Sequence, residues 1–143
     1  MVNDNTAIKS GEALLKLDQA FKTLGANLEE IRLGFAKVSI EITKKHTNGH
    51  GFCHGGVIFT LADATFGFAC NSYNIQAVAQ NCGITYICPV KENDTLTAEA
   101  VEIANYGRSA IYDVSVKNQT GELVAVFRGH SRTIGSPLFG TAK

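Results

Sequence analysis

Residues 46–73, HTNGHGFCHGGVIFTLADATFGFACNSY, decide how the rest of the chain is arranged. The stretch opens as a polar, glycine-rich loop and from Gly55 becomes an apolar segment of about five helical turns. Val57, Ile58, Phe59, Leu61, Ala62, Phe66, Phe68 and Ala69 put apolar side chains on nearly every side of a helix predicted over 55–72. A helix apolar all round and too short to span a membrane belongs inside a protein. Gly67 costs such a helix about 1 kcal/mol relative to alanine, so a close backbone approach is expected there. Asp63 interrupts the segment, and a charge in apolar surroundings is costly unless paired or hydrogen-bonded.

Downstream, the pattern turns to strands. Residues 76–88, 95–104, 109–117 and 122–134 each read as one, separated by Pro89 with the turn KEND (91–94), by NYG and by NQTG. Such short turns predict an antiparallel meander. In the last strand Val124, Val126, Arg128, His130 and Arg132 share one face; Leu123, Ala125, Phe127, Gly129 and Ser131 share the other. Upstream, residues 28–43 alternate with a period of two, as a strand half-buried through Ala36, Val38, Ile40 and Ile42. Residues 10–24 read as a short amphipathic helix with Ser10 as N-cap, Gly25 as stop, and Leu14, Leu17, Phe21 and Leu24 on one face. The expected fold is therefore α+β: an antiparallel sheet of about five strands wrapped around a long central helix, after a short N-terminal helix. One small sheet covers only part of that helix, so a second copy is expected against the rest. A single domain over 1–143 is expected, with 1–9 and 136–143 as flexible tails.

Composition narrows the function. Hydrophobic residues make up 45% and charged residues 18%, a globular balance, and the formal net charge of zero gives no general attraction to nucleic acid or anionic membrane. The first residues, MVNDNTAIKS, lack the basic-then-apolar pattern of a signal peptide, so a cytoplasmic location is expected. Cys53, Cys70, Cys82 and Cys88 fit no common zinc spacing and read as free thiols; no metal site is expected. Cys53 beside His54 suggests a nucleophile and its base, but adjacent residues seldom face one another.

At His54-Gly55-Gly56 the loop meets the helix. The first N–H groups of a helix lack internal partners and carry partial positive charge, and glycine lets a ligand come close; an oxygen gaining negative charge is stabilised there. Asp63 lies eight residues beyond Gly55, about 12 Å along the axis. One carbonyl cannot touch both within one chain. If both serve one reaction, they come from two copies with antiparallel helices and two identical sites at a twofold interface. The alternative for Asp63 is a buried acid satisfied by its backbone or by the hydroxyls of Thr60 or Thr65.

The run from Asn48 to His54-Gly55-Gly56, followed by Leu61-Ala62-Asp63, resembles the signature of hotdog-fold acyl-CoA thioesterases, most closely the PaaI-type branch of phenylacetate degradation. The likeness continues through Ala69-Cys70-Asn71-Ser72, Ala77-Val78-Ala79, Asp94 to Ala98 and Phe127-Arg128-Gly129, roughly residues 20–135 in all. It implies hydrolysis of (hydroxy)phenylacetyl-CoA or a related acyl-CoA, with Asp63 as nucleophile or general base and the partner's Gly55 N–H polarising the carbonyl. Asn48 would place the water or carbonyl, and His54 would support the site. Asn48 also reads as a turn residue and His54 as a helix cap. Gly56, Arg108, Ser109 and Arg128 are the implied coenzyme A contacts, with Lys91, His130 and Arg132 as weaker ones. Phe59, Phe66, Phe68 and Tyr73 either line an acyl pocket or form plain core. Coenzyme A enters as part of the substrate, so no cofactor is implied, and a homodimer, paired again as a dimer of dimers, is expected. The alternatives are a non-catalytic acyl-CoA binder, such as a sensor or assembly subunit, and a hydratase on the same fold.

Overall fold

A computed structural model describes residues 2–140. The N-terminal helix is two helices. α1 (Asp4–Leu17) starts at Asn3, whose side chain exchanges hydrogen bonds with Thr6 in a capping box; α2 (Gln19–Leu24) starts at Asp18, whose carboxylate accepts from the Phe21 N–H at 2.9 Å. Ser10 is not a cap. It sits buried inside α1 and donates to the Thr6 carbonyl. The break at Asp18 also divides the expected apolar face, leaving Leu17 78% exposed while Phe21 is buried. Gly25 ends α2 in the left-handed region, as the sequence predicts.

Residues 28–43 likewise divide into a hairpin of β1 (Asn27–Arg32) and β2 (Phe35–Glu41), turning at Leu33-Gly34, where Gly34 has φ +73° and donates to the Ser72 hydroxyl. With β3 (Ala77–Tyr86), β4 (Thr95–Tyr106), β5 (Ser109–Lys117) and β6 (Leu123–Thr133) the sheet has six strands, in the order β1-β2-β4-β5-β6-β3, every neighbour antiparallel. The meander holds only from β4 to β6. β3 lies at the far edge against β6, and residues 87–94 carry the chain from that edge back to β4. Pro89, which lacks an N–H for a ladder, stands in this crossing. Bulges between Ala79 and Asn81 and between Glu102 and Ala104 strengthen the curl.

The long helix α3 (Gly55–Cys70) lies in the concave face. Leu61, Phe66 and Phe68 are fully buried against Val38, Ile40, Leu96, Val114 and Phe127. Phe66 meets Tyr112 edge-on at 5.7 Å, and a Cβ on Gly129 would lie 2.8 Å from its ring. Gly129→Ala is therefore expected to destabilise the protein by about 1–3 kcal/mol, read from the urea midpoint at unchanged slope.

Gly67 has nothing within 4 Å of where a Cβ would stand, so the expected close approach is not made within the chain. It belongs to a stripe of Gly56, Thr60, Asp63, Ala64 and Gly67 along the side of α3 that the sheet leaves partly exposed. Both ends of the chain carry defined structure where described. Residues 4–9 are helix, and Asn74 accepts from the Leu138 and Phe139 N–H groups while Gln76 donates to the Ser136 carbonyl. The expected tails 1–9 and 136–143 are thus corrected over that span; residues 1 and 141–143 lie outside the described residues. Among the described residues no helix is long and apolar enough to cross a membrane, and no cluster of three or more His, Cys, Asp or Glu is arranged to hold a metal.

Candidate active site

The loop before α3 is built from its polar side chains. The His46 ring bonds the Leu24 carbonyl and the Thr43 N–H, and the His46 carbonyl accepts from the His54 N–H at 2.8 Å. Asn48 Oδ1 accepts from His50 N–H (2.9 Å) and Phe52 N–H (3.2 Å), which closes the turn around Gly51. His54 caps α3, its Nδ1 accepting from the Gly56 N–H at 2.9 Å. The Gly56 N–H is thereby engaged, whereas the Gly55 N–H meets no acceptor among the described residues. Its other side is covered by Tyr86, whose hydroxyl donates to the Gly55 carbonyl at 2.7 Å.

Asp63 is half-buried on the exposed stripe. The hydroxyls expected to satisfy it are spent elsewhere: Thr60 donates to the Gly56 carbonyl and Thr65 to the Leu61 carbonyl. Its contact is instead the Cys82 thiol, which donates to Oδ1 at 3.8 Å. Burial raises the Asp63 carboxyl above its ordinary range; the thiol opposes this, and the Asp18 carboxylate adds to it.

α3 and β3 run side by side in opposite directions, with Gly55 against Tyr86 and Asp63 against Cys82. The four residues from Cys82 to Tyr86 span about 13 Å of strand, which agrees with about 12 Å of helix between Gly55 and Asp63. One chain thus keeps its acid and its free N–H apart. Nor does Cys53 form a nucleophile pair with His54: it faces the His54 carbonyl at 3.7 Å, and burial pushes its thiol up to about 11. All four cysteines are free.

A helix wrapped by one antiparallel sheet finds its counterpart among known proteins. The model of the thioesterase superfamily matches residues 50–125, more than half of the chain. The chain belongs to the thioesterase superfamily. It is a hotdog-fold thioester hydrolase of the PaaI type. It is 39% identical over 137 residues to the acyl-coenzyme A thioesterase PaaI of Escherichia coli, covering 95% of this chain and 97% of that one. The structure of E. coli PaaI, from the phenylacetic acid degradation operon, superposes with a TM-score of 0.92 at 38% identity, over 94% of this chain and 97% of that one. A Streptococcus mutans protein solved with acetyl-CoA bound matches with a TM-score of 0.76 at 29% identity, over 78% and 90%.

The remaining candidates of this thioesterase do not gather around Asp63 within one chain. Arg128 points away from α3 on the outer face of the sheet, where both its Nε and Nη2 bind Asp113, at 2.6 and 2.8 Å, and hold that carboxyl below the usual range. Arg108 is exposed and donates from Nε and Nη2 to the Thr133 carbonyl; with Ser109 it lines a cavity of about 440 Å³ at the Cys70 end of α3, opposite the Gly55 end. Phe66 and Phe68 are core, and Tyr73 donates to Glu102. Phe59, half-buried and edge-on to Phe127 at 5.5 Å, is the aromatic residue of α3 that keeps an open side. Sequence reasoning missed Cys82 and Tyr86. Both stand on the inward face of β3, and alternation alone did not say which helix residues that face meets.

Proposed function

We propose that the chain hydrolyses acyl-CoA thioesters, (hydroxy)phenylacetyl-CoA and related aryl esters among them, as one catalytic domain acting in a homodimer. Each of its two sites combines Asp63 of one copy with the Gly55 N–H of the other. The observation that carries this reading is the unpaired Gly55 N–H standing about 12 Å from the acid on one rigid helix. β3 supports it. It is a ten-residue edge strand, largely exposed and, among the described residues, paired only with β6. Antiparallel pairing of two β3 strands, centred between Cys82 and Tyr86, would lay two α3 stripes side by side and bring each Gly55 to the other copy's Asp63.

In such a site the Gly55 N–H and the helix dipole stabilise the oxyanion that forms when the thioester carbonyl is attacked. Asp63 takes the proton of the attacking water, or attacks the carbonyl itself to form an anhydride that water then opens. In the general-base route the acid product takes its new oxygen from water. In the anhydride route, when water opens the anhydride at the Asp63 carbonyl, the acid product leaves with an oxygen of Asp63 and the water oxygen stays in Asp63. In both, the CoA sulfur leaves as thiolate and is protonated. Asn48 and His54 serve by holding the loop and the helix start in shape. Arg108, Ser109 and Arg128 are proposed for the coenzyme's phosphates, and neither route needs a further cofactor. Hydrolysis of a panel of acyl-CoAs, followed with a thiol reagent, is expected to favour aryl-acetyl esters; no turnover of any ester would sink the reading. Oxygen-18 from solvent appearing in Asp63 after a single turnover identifies the anhydride route.

A further inference from the structure

We propose that Cys82 is a positioning residue of the thioesterase site: its thiol donates to Oδ1 of Asp63, fixes the carboxylate rotamer and leaves Oδ2 to the substrate and water. The inference rests on Asp63 being the reacting acid.

Three observations carry it. The first is the contact itself, 3.8 Å from Sγ to Oδ1, with no other hydrogen-bond partner of the Asp63 side chain among the described residues. The second is the way β3 is built to make it. Ala77 and Ala79 pair with Thr133 and Ser131, on the inward face of the sheet; plain alternation would next turn Asn81 inward. The ladder shifts between Ala79 and Asn81, so Gln80 is an extra residue, Asn81 pairs with His130 on the outer phase, and Cys82 faces in opposite Gly129. A strand without that bulge would present an amide to Asp63 instead of a thiol. The third is the balance of charges. Asp18, from the start of α2, and burial both favour the protonated form of Asp63, and Cys70, seven residues further along α3, is itself a thiol pushed up to about 12 by burial and by Asp63. Among these neighbours Cys82 is the one that favours the ionised acid. Burial and the nearby carboxylate push the Cys82 thiol up to about 11, so at neutral pH it stays S–H and can only donate.

The test compares Cys82→Val, which keeps an apolar group of similar bulk without the donor, with Cys82→Ala and Cys82→Ser. Both Val and Ala are expected to move the acidic limb of the kcat/KM profile to higher pH, because the acid then protonates more readily. They are expected to lower kcat at neutral pH roughly three- to tenfold with little change in KM. Ser, which keeps a shorter donor, falls between them and the unaltered enzyme. A packing role would let Val restore what Ala loses and would leave the limb in place. An acidic limb unmoved in Val and Ala overturns the proposal. A second measurement needs no active variant: the S–H infrared stretch of Cys82, assigned by difference against Cys82→Ser, is expected at lower frequency in the unaltered protein than in Asp63→Asn, and equal frequencies overturn the proposal as well. Full activity in Asp63→Asn would refute the functional reading itself; an inactive Asp63→Asn beside an unmoved limb refutes only the role of Cys82.

Discussion

Asp63→Asn is expected to lower kcat/KM for the preferred acyl-CoA by about a hundredfold or more. Asparagine keeps the shape of the side chain and removes the carboxylate proposed as base or nucleophile. Since in the proposed site the carbonyl is polarised by the other copy's Gly55, the loss should fall mainly on kcat. The same substitution carries a stability signature. Folding raises the Asp63 carboxyl, burial being the main cause. A carboxyl raised on folding binds its proton more tightly in the native than in the unfolded state, so its charged form costs stability at neutral pH and the cost disappears as pH falls through the folded pKa. Asp63→Asn should therefore unfold at a higher temperature than the unaltered protein at pH 7, with the gap narrowing as pH is lowered into the carboxylate range. Thermal scans across pH, run beside the kinetic assay, check both halves. An inactive variant that is also less stable at pH 7 would indicate a structural acid.

Gly55→Pro is expected to cost about a hundred- to a thousandfold in kcat, the usual effect of removing one donor from an oxyanion site. Proline suits the first position of a helix, where the N–H has no partner in the helix. His54, at φ −62° and ψ 135°, already holds the extended backbone that a residue before proline needs. The control is Gly55→Ala, which keeps the N–H. Its Cβ would lie 3.0 Å from the Tyr86 ring, the same crowding that proline brings, and Tyr86 is 47% exposed and able to yield. The difference between Pro and Ala isolates the N–H. Mixing unfolded Asp63→Asn and Gly55→Pro chains and refolding them together then tests the shared site. Random pairing makes half of the dimers mixed, each with one intact site, and about a quarter of the unaltered activity should return. No recovery on mixing would place both groups in one chain and contradict the twofold arrangement.

The helix over 55–70 and its acid were legible because an all-apolar segment broken by one charge has few explanations. β2, β4, β5 and β6 were legible from their alternation. Neighbour order was not: a period of two says which residues face inward but not which strand lies alongside, and so β3 emerged at the far edge and not beside β4. The break at Asp18 and the turn at Leu33-Gly34 were hidden because a short helix pair keeps nearly the spacing of one helix, and a tight hairpin nearly the alternation of one strand. At the site, residue type ran ahead of role. Asn48 closes a turn and His54 caps a helix with the same atoms that could serve a substrate. Cys82 was hidden by the extra residue Gln80, which reverses the phase of the strand.

The anchoring of residues 136–139 on Asn74 and Gln76 reaches further than the end of the chain. Those two residues form the corner between α3, which carries Gly55 and Asp63, and β3, which carries Tyr86 and Cys82. The C-terminal segment works as a buckle over that corner, setting the angle at which helix and strand leave it. Shortening or extending the chain there touches the corner from which the helix carrying the acid and the strand carrying its thiol both depart.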